Sequence, residues 1–315
     1  MKTRILADES ESTLKKYLAT LPAVDQVGAH ARADMLATRS IKTTSKNWAI
    51  DMAISMVDLT TLEGADTPGK VQALCAKAVR PDPLDATVPH VGAICVYNDM
   101  VKVARTHLDS IGGKDIPVAA VSTAFPSGRA SFAVKERDTK DALQAGAQEI
   151  DMVIDRGAFL AGHLGSVYEE IKKIKEICGD KAHLKVIFET GELVTLDNVR
   201  KASYLAMLAG ADFIKTSTGK VAPAATPPVV LVMLEAVRDF YALTGKRIGV
   251  KPAGGIRTTK DAIKQLVLVN ETAGPEWLDP SLFRIGASAL LNDLLLQRMK
   301  MRDGYYAGST YVTLD

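Results

Sequence analysis

From about residue 50 onward, short apolar runs rich in valine and isoleucine alternate with longer segments of helical period, the pattern of repeated βα units. Eight such runs predict strands at 52–62, 91–97, 118–123, 149–154, 183–189, 212–217, 247–251 and 283–288. Each interval leaves room for a helix, and Val71, Leu74, Cys75, Ala78 and Val79 recur at i, i+3, i+4, i+7 and i+8 as one apolar stripe. Thr195 is placed to cap a helix running through Val199, Ala202 and Ala206, with Gly210 as its left-handed stop. Eight parallel strands with intervening helices predict an α/β fold closed as a (β/α)8 TIM barrel.

Ala145-Gly146-Ala147 precedes Ile150-Asp151 at the same offset at which Ala209-Gly210-Ala211 precedes Ile214-Lys215. If both are helix-to-strand joints, Asp151 and Lys215 lie at equal depth on the fourth and sixth strands, which feed the same interior layer. Two opposite charges are then expected to meet inside. Residues 1–48 are more polar, carry helix-like pieces at 12–20 and 28–36, and read as an N-terminal helical extension. The barrel is expected over 49–300, followed by a tail at 301–315 with three tyrosines and no clear period, mobile or draped over the barrel.

The charge balance, 39 Lys+Arg against 37 Asp+Glu over 315 residues, offers no electrostatic case for nucleic acid or an anionic membrane, so small molecules are the expected partners. Cys75, Cys95 and Cys178 are odd in number and far apart, which suits reduced thiols in a cytoplasmic protein. The five histidines show no paired spacing, so no metal is expected. Lys2, Arg4, Asp8 and Glu9 leave no apolar signal core, and the longest uncharged stretch, 221–234, is 14 residues long and broken by three prolines. A soluble protein is expected.

Strand alternation in Asp212-Phe213-Ile214-Lys215-Thr216-Ser217 puts Phe213, Lys215 and Ser217 on one face, with Lys215 inward. A buried lysine must be paired or must lose its proton, and an uncharged amine is a nucleophile. The plainer reading of a lone lysine is an ion pair or a chain end reaching water. Lys251 changes the balance, because it stands at the end of the next strand, where barrel enzymes place their chemistry. A second ammonium in one cavity disfavours protonation of the first, which is the logic of Schiff-base catalysis.

Asp151 can pass protons in such a mechanism or serve as a lysine's counter-ion, and the two roles are compatible. Asp58, on the first strand, is suited to a substrate hydroxyl. Cys95 is more simply a small buried hydrophobe than a substrate contact, and Lys185 is either inward-facing or in an ion pair at the core's edge. Ala253-Gly254-Gly255-Ile256-Arg257 and Gly286-Ala287-Ser288 follow the last two strands, where backbone N–H groups hold phosphate in many barrels. Gly219-Lys220 adds an N–H and a cation nearby, but Ile214 stands where a Walker A loop needs glycine.

Segments 57–62, 188–193, 212–220, 250–257 and 284–288 together resemble the deoxyribose-phosphate aldolase family over roughly residues 50–295. The resemblance implies a class I aldolase that reversibly cleaves 2-deoxy-D-ribose 5-phosphate to acetaldehyde and D-glyceraldehyde 3-phosphate, without metal or cofactor. It implies Lys215 as the Schiff-base lysine, Lys251 as the lysine that tunes it and Asp151 as the proton-transfer carboxylate. Gly219, Gly254, Gly255, Gly286 and Ser288 match phosphate-site positions, and Asp58, Cys95, Thr218 and Lys220 match positions lining the sugar pocket. Ala289 stands where some members have a second serine. Some members end in a tyrosine that reaches the site, and here Tyr305, Tyr306 and Tyr311 are the available candidates. The expected partners are sugar phosphates and aldehydes, and the expected assembly is a homo-oligomer, dimer or tetramer. The alternatives are another Schiff-base lyase of transaldolase type and a non-catalytic barrel that binds sugar phosphates.

Overall fold

The computed structural model describes residues 5–313 apart from Ala7; Lys2, Arg4, Leu314 and Asp315 lie outside the described residues. Eight strands form one parallel sheet: β1 (Val57–Thr60), β2 (Ala93–Val96), β3 (Val118–Ser122), β4 (Glu149–Val153), β5 (His183–Ile187), β6 (Phe213–Lys215), β7 (Gly249–Lys251) and β8 (Ile285–Ala287). β8 pairs with β1, and the bridges Val250 to Phe283 and Ala253 to Gly286 join the end of β7 to β8, so the sheet closes as a barrel. The chain is a (β/α)8 TIM barrel, as its alternation of patterns predicts.

The first strand is shorter than expected. Residues 52–55 are the last turn of a helix, Thr43–Ser55, that crosses position 48. Ala49, Ile50, Ala53 and Ile54 are buried at helical spacing, and this period prevails over the apolar run that suggested an extended chain. The other strands are also shorter than their apolar runs, β7 only at its start: β6 ends at Lys215, and Thr216 and Ser217 already belong to a loop, their hydroxyls bonded to Ala253 O.

The two Ala-Gly-Ala segments are matching joints. Gly146 and Gly210 have φ of 103° and 100°, a left-handed turn that favours glycine. The N–H of Ala147 reaches Ala142 O and that of Ala211 reaches Ala206 O, both at 3.0 Å. The helix before the second joint starts at Thr195, whose side chain accepts from Asn198 N.

The extension contributes helices Glu11–Ala19 and Gln26–Ala37, with Leu14, Leu18, Ala33 and Leu36 buried against the barrel's outer helices. At the other end, helix Leu290–Asp303 runs past residue 300, and the remaining chain drapes back. Thr313 O accepts from Lys77 Nζ at 2.8 Å and from Asn292 Nδ2 at 3.1 Å. Among the described residues, no helix is long and apolar enough to cross a membrane.

Candidate active site

The barrel's stagger decides which side chains meet. Asp151 is in register with Lys185, and Lys185 with Phe213, two residues before Lys215. With a shear of about eight residues over eight strands, a level plane climbs about one residue per strand. Two strands on from Asp151, the level residue is therefore Lys215. The same step along the register puts Cys95 and Gly286 in this tier. One residue deeper come Asp58, Ala119, Lys185 and Lys251, and deeper again Ala93, Glu149, Phe213 and Arg284. The expected meeting of Asp151 and Lys215 follows from the stagger.

The contacts agree with these tiers. Lys215 Nζ donates to Asp151 Oδ2 at 2.6 Å, and Lys251 Nζ reaches the same oxygen at 2.7 Å from below. Lys251 also pairs with Asp58 Oδ2 at 2.5 Å, and Asp58 Oδ1 accepts from Arg284 Nη1 at 2.7 Å. Arg284 Nη2 reaches Glu149 Oε1 at 3.3 Å, Glu149 pairs with Lys185, and Lys185 stands 3.4 Å from Asp151 Oδ1. Four cationic side chains and three carboxylates are thus enclosed in three tiers, all nearly or fully buried. One proton too many is held if all are ionised. Neutrality results when one lysine is an amine.

Of these cations, Lys215 is the one whose charge its surroundings favour least. Burial lowers its pKa and Lys251 lowers it further; Asp151 pulls it back only in part, so the amine titrates below the ordinary lysine value. Burial also works against the Lys251 charge, but Asp151 and Asp58 outweigh it and hold this ammonium well above the ordinary value. Burial disfavours the Asp151 carboxylate, yet Lys215, Lys251 and Lys185 together keep it ionised well below the usual range. Burial is the larger cause of the Lys215 shift, and the companion lysine adds to it.

Position separates the two lysines as well. Lys215, in the upper tier, lines a cavity of about 210 Å³ at the carboxyl ends of the strands; Lys251 lies beneath it and is fully buried. Thr218, Gly219, Lys220, Gly254, Gly255, Gly286 and Ser288 line the same cavity. Gly254 has φ of +83°, and a Cβ there would lie 2.7 Å from Ala224 Cβ, so both turn geometry and space require glycine.

The two helices that begin near the cavity differ. Thr259–Thr272 is closed by a capping box of Thr258 and Asp261, while Leu290–Asp303 starts at Ala289 with no side-chain cap. Ala289 lines the cavity, so the unsatisfied first-turn N–H groups available to an anion are those after β8.

Asp58 and Cys95 are not in that lining. Asp58 is fully buried in the ion network one tier down, where Lys251 and Arg284 take its oxygens. Cys95 is fully buried in an apolar cluster with Leu62, Ala119 and Val121, and burial raises its thiol pKa. Tyr305, Tyr306 and Tyr311 are exposed and outside the cavity.

Glu149 and Arg284 were not singled out from sequence, although each stands two residues before an inward position, Asp151 and Gly286. Glu63 was missed too; it lines the mouth and holds Lys220 Nζ at 2.8 Å.

A family model described as DeoC/LacD family aldolase matches residues 52–295. The chain belongs to the DeoC/LacD aldolase family. It is 46% identical to the human protein named deoxyribose-phosphate aldolase over 287 residues, covering 88% of this chain and 89% of that one. The bovine protein of the same name is 45% identical over 307 residues, 94% of each chain. Among solved structures, an apo-form protein from Toxoplasma gondii shares the fold with a TM-score of 0.72 at 24% identity, covering 84% of this chain and all of that one. The family match spans every strand of the barrel, so the lysine pair and its cavity belong to the aldolase domain.

Proposed function

We propose that the chain is a deoxyribose-phosphate aldolase acting through an imine on Lys215. The observation that carries this reading is the setting of Lys215: hydrogen-bonded to Asp151, underlain by Lys251 and open to a cavity rimmed by the glycine-containing loops after β6, β7 and β8. Lys215 Nζ attacks C1 of the open-chain 2-deoxy-D-ribose 5-phosphate, and loss of water gives the iminium. Carbon count identifies the bond that breaks: C1 and C2 leave as acetaldehyde, so scission falls between C2 and C3. The electron pair passes to C2 as an enamine, and the C3 hydroxyl proton is taken as the glyceraldehyde 3-phosphate carbonyl forms. Protonation of C2 and hydrolysis then free acetaldehyde and the amine.

Asp151 is placed to move these protons. Its Oδ2 is shared by the two lysines, and its Oδ1 accepts no hydrogen bond. The backbone donors at Gly254, Gly255 and Ser288 hold the phosphate, Gly286, whose N–H is taken by Pro252 O, leaves room beside them, and Thr218, Gly219 and Lys220 form the facing wall. Asp58 acts from below, as the partner of Lys251, instead of on a substrate hydroxyl.

Borohydride reduction in the presence of 2-deoxyribose 5-phosphate, followed by peptide mass spectrometry, tests the assignment. The two-carbon adduct is expected on Lys215, and an adduct elsewhere, or none, would overturn it. Product analysis by aldehyde release separates this activity from a transaldolase-type exchange and from binding without turnover.

The reading extends to a homo-oligomer, supported by large apolar side chains left exposed on the amino-terminal helices, Val27, Met35 and Trp48. Light scattering giving a dimer or tetramer of the 33.7 kDa chain is the expected result. It extends also to the cytoplasm, whose reducing conditions suit three free, buried cysteines.

A further inference from the structure

Beside the cavity, though not in its lining, stands a carboxylate that the imine chemistry does not use. Glu189 is fully buried just beyond β5. Its backbone is left-handed, with φ 56° and ψ 62°, a conformation that disfavours a residue bearing a Cβ. A strained, buried acid persists where the surroundings demand that side chain. The demand here comes from the loop after β6. Thr218 N lies 3.3 Å from Glu189 Oε1 and 3.4 Å from Oε2, and the Thr218 hydroxyl donates to Oε2.

The chain of contacts continues to the cavity wall. Thr218 Oγ1 accepts from Lys220 N at 3.1 Å, so one hydroxyl joins Glu189 to the segment Thr218-Gly219-Lys220 that faces the substrate cavity. On its other side Glu189 is backed by Arg156, whose Nη1 is 3.7 Å from Oε2 and whose Nε holds Glu192 at 2.6 Å. The turn itself is braced against the same loop: Thr190 N donates to Thr216 O at 2.9 Å, and a Cβ on Gly191 would lie 2.2 Å from Pro223 O.

We propose that Glu189 is a positioning residue that holds the loop Thr218-Gly219-Lys220 in its substrate-binding shape through the Thr218 hydroxyl. The proposal rests on the reading of the cavity as a sugar-phosphate site. Imine formation on Lys215, which stands on a strand and leans on Asp151, does not depend on this loop. Loss of the clamp therefore weakens binding of the phosphorylated sugar and spares the nucleophile.

The test uses the full chain with Glu189→Ala, Glu189→Asp, Thr218→Val and the Glu189→Ala/Thr218→Val double variant. Glu189→Ala is expected to raise KM for 2-deoxyribose 5-phosphate about tenfold, the scale of one lost charged hydrogen bond, with kcat little changed. Borohydride trapping of acetaldehyde on Lys215 should proceed at the wild-type rate. The double variant should be no worse than the worse single one, because both remove the same link. Glu189→Asp draws the carboxylate back by one methylene, so it should raise KM while keeping the buried charge, and it carries the test if the alanine variant does not fold. Multiplying effects in the double variant, an unchanged KM in Glu189→Asp, or a fall in kcat at constant KM that follows the folded fraction would each overturn the proposal. Absence of turnover and trapping in the wild-type chain would instead overturn the aldolase reading.

Discussion

Lys215 and Lys251 converge on a single oxygen, Asp151 Oδ2, with Nζ distances of 2.6 and 2.7 Å. They are adjacent in register on β6 and β7, yet one opens to the cavity and the other is enclosed beneath it. A shared acceptor cannot compensate two ammonium ions equally. Of the two lysines only Lys251 has Asp58 as a second partner, so Lys215 is the one that gives up its proton more readily.

Replacing Lys251 by leucine removes the cation that pushes the Lys215 pKa down. The Lys215 pKa then rises, the amine fraction at neutral pH falls, and the acid limb of kcat/KM moves to higher pH. An upward shift of about one to two units lowers kcat/KM near pH 7 by roughly 10–100-fold, with recovery as the pH is raised. A pH–rate profile superimposable on that of the wild type would refute the tuning role.

Asp151→Asn acts in the opposite sense on the same limb. Asp151 is the charge that holds the Lys215 proton, so its loss lowers the amine's pKa and moves the acid limb to lower pH. The plateau should nevertheless fall by about 10²–10⁴, the usual contribution of a positioned proton-transfer group, while acetaldehyde is still trapped on Lys215. Full turnover in the variant would reduce Asp151 to a counter-ion.

Which of these groups could be found from sequence follows from the geometry. Strand alternation shows that Lys215 and Asp151 point inward, and the repeated Ala-Gly-Ala joints place them at one level. The tier of Asp58 is hidden, because a carboxylate at the mouth and one a tier below have the same alternation, and the end of the strand is blurred by flanking apolar residues of a helix. Glu149 and Arg284 escaped notice because interior barrel positions are expected to be apolar. Four charges at Glu149, Asp151, Lys185 and Lys215 could have signalled a charged interior, since all occupy alternate inward places. Glu189 left no signal in composition, its significance lying in a backbone conformation that sequence does not display.

The interior charges are a structural as well as a chemical unit. Arg284 donates to Asp58 and approaches Glu149 in a site almost closed to solvent. Arg284→Met leaves both carboxylates short of a partner and should destabilise the fold by about 3–5 kcal/mol. Breaking the exposed Arg137–Asp141 pair by Arg137→Met should leave stability almost unchanged, because solvent screens that pair. Denaturant unfolding of the two variants makes the comparison. Where Arg284→Met folds, its missing positive charge also raises the Lys215 pKa, moving the acid limb upward as Lys251→Leu does. Equal stability losses in the two variants would argue against a coupled interior network.

Ala289 offers a test in which stability and binding part company. It is the N-cap of helix Leu290–Asp303, makes no side-chain cap, and lines the cavity beside Ser288. Its backbone is helical (φ −63°, ψ −21°), so an aspartate at this position acts on the first-turn N–H groups chiefly through its charge at the helix's amino end, typically worth about 0.3–1 kcal/mol. The same carboxylate would occupy the donors proposed for the substrate phosphate and repel the dianion. Ala289→Asp should therefore raise the midpoint of thermal unfolding while raising KM for 2-deoxyribose 5-phosphate about tenfold or more. Trapping of acetaldehyde, which carries no phosphate, should stay at the wild-type rate, because Lys215 lies on a different strand and keeps its partners. A more stable variant with unchanged KM would place the phosphate elsewhere, leaving the loop after β7 as the anion site.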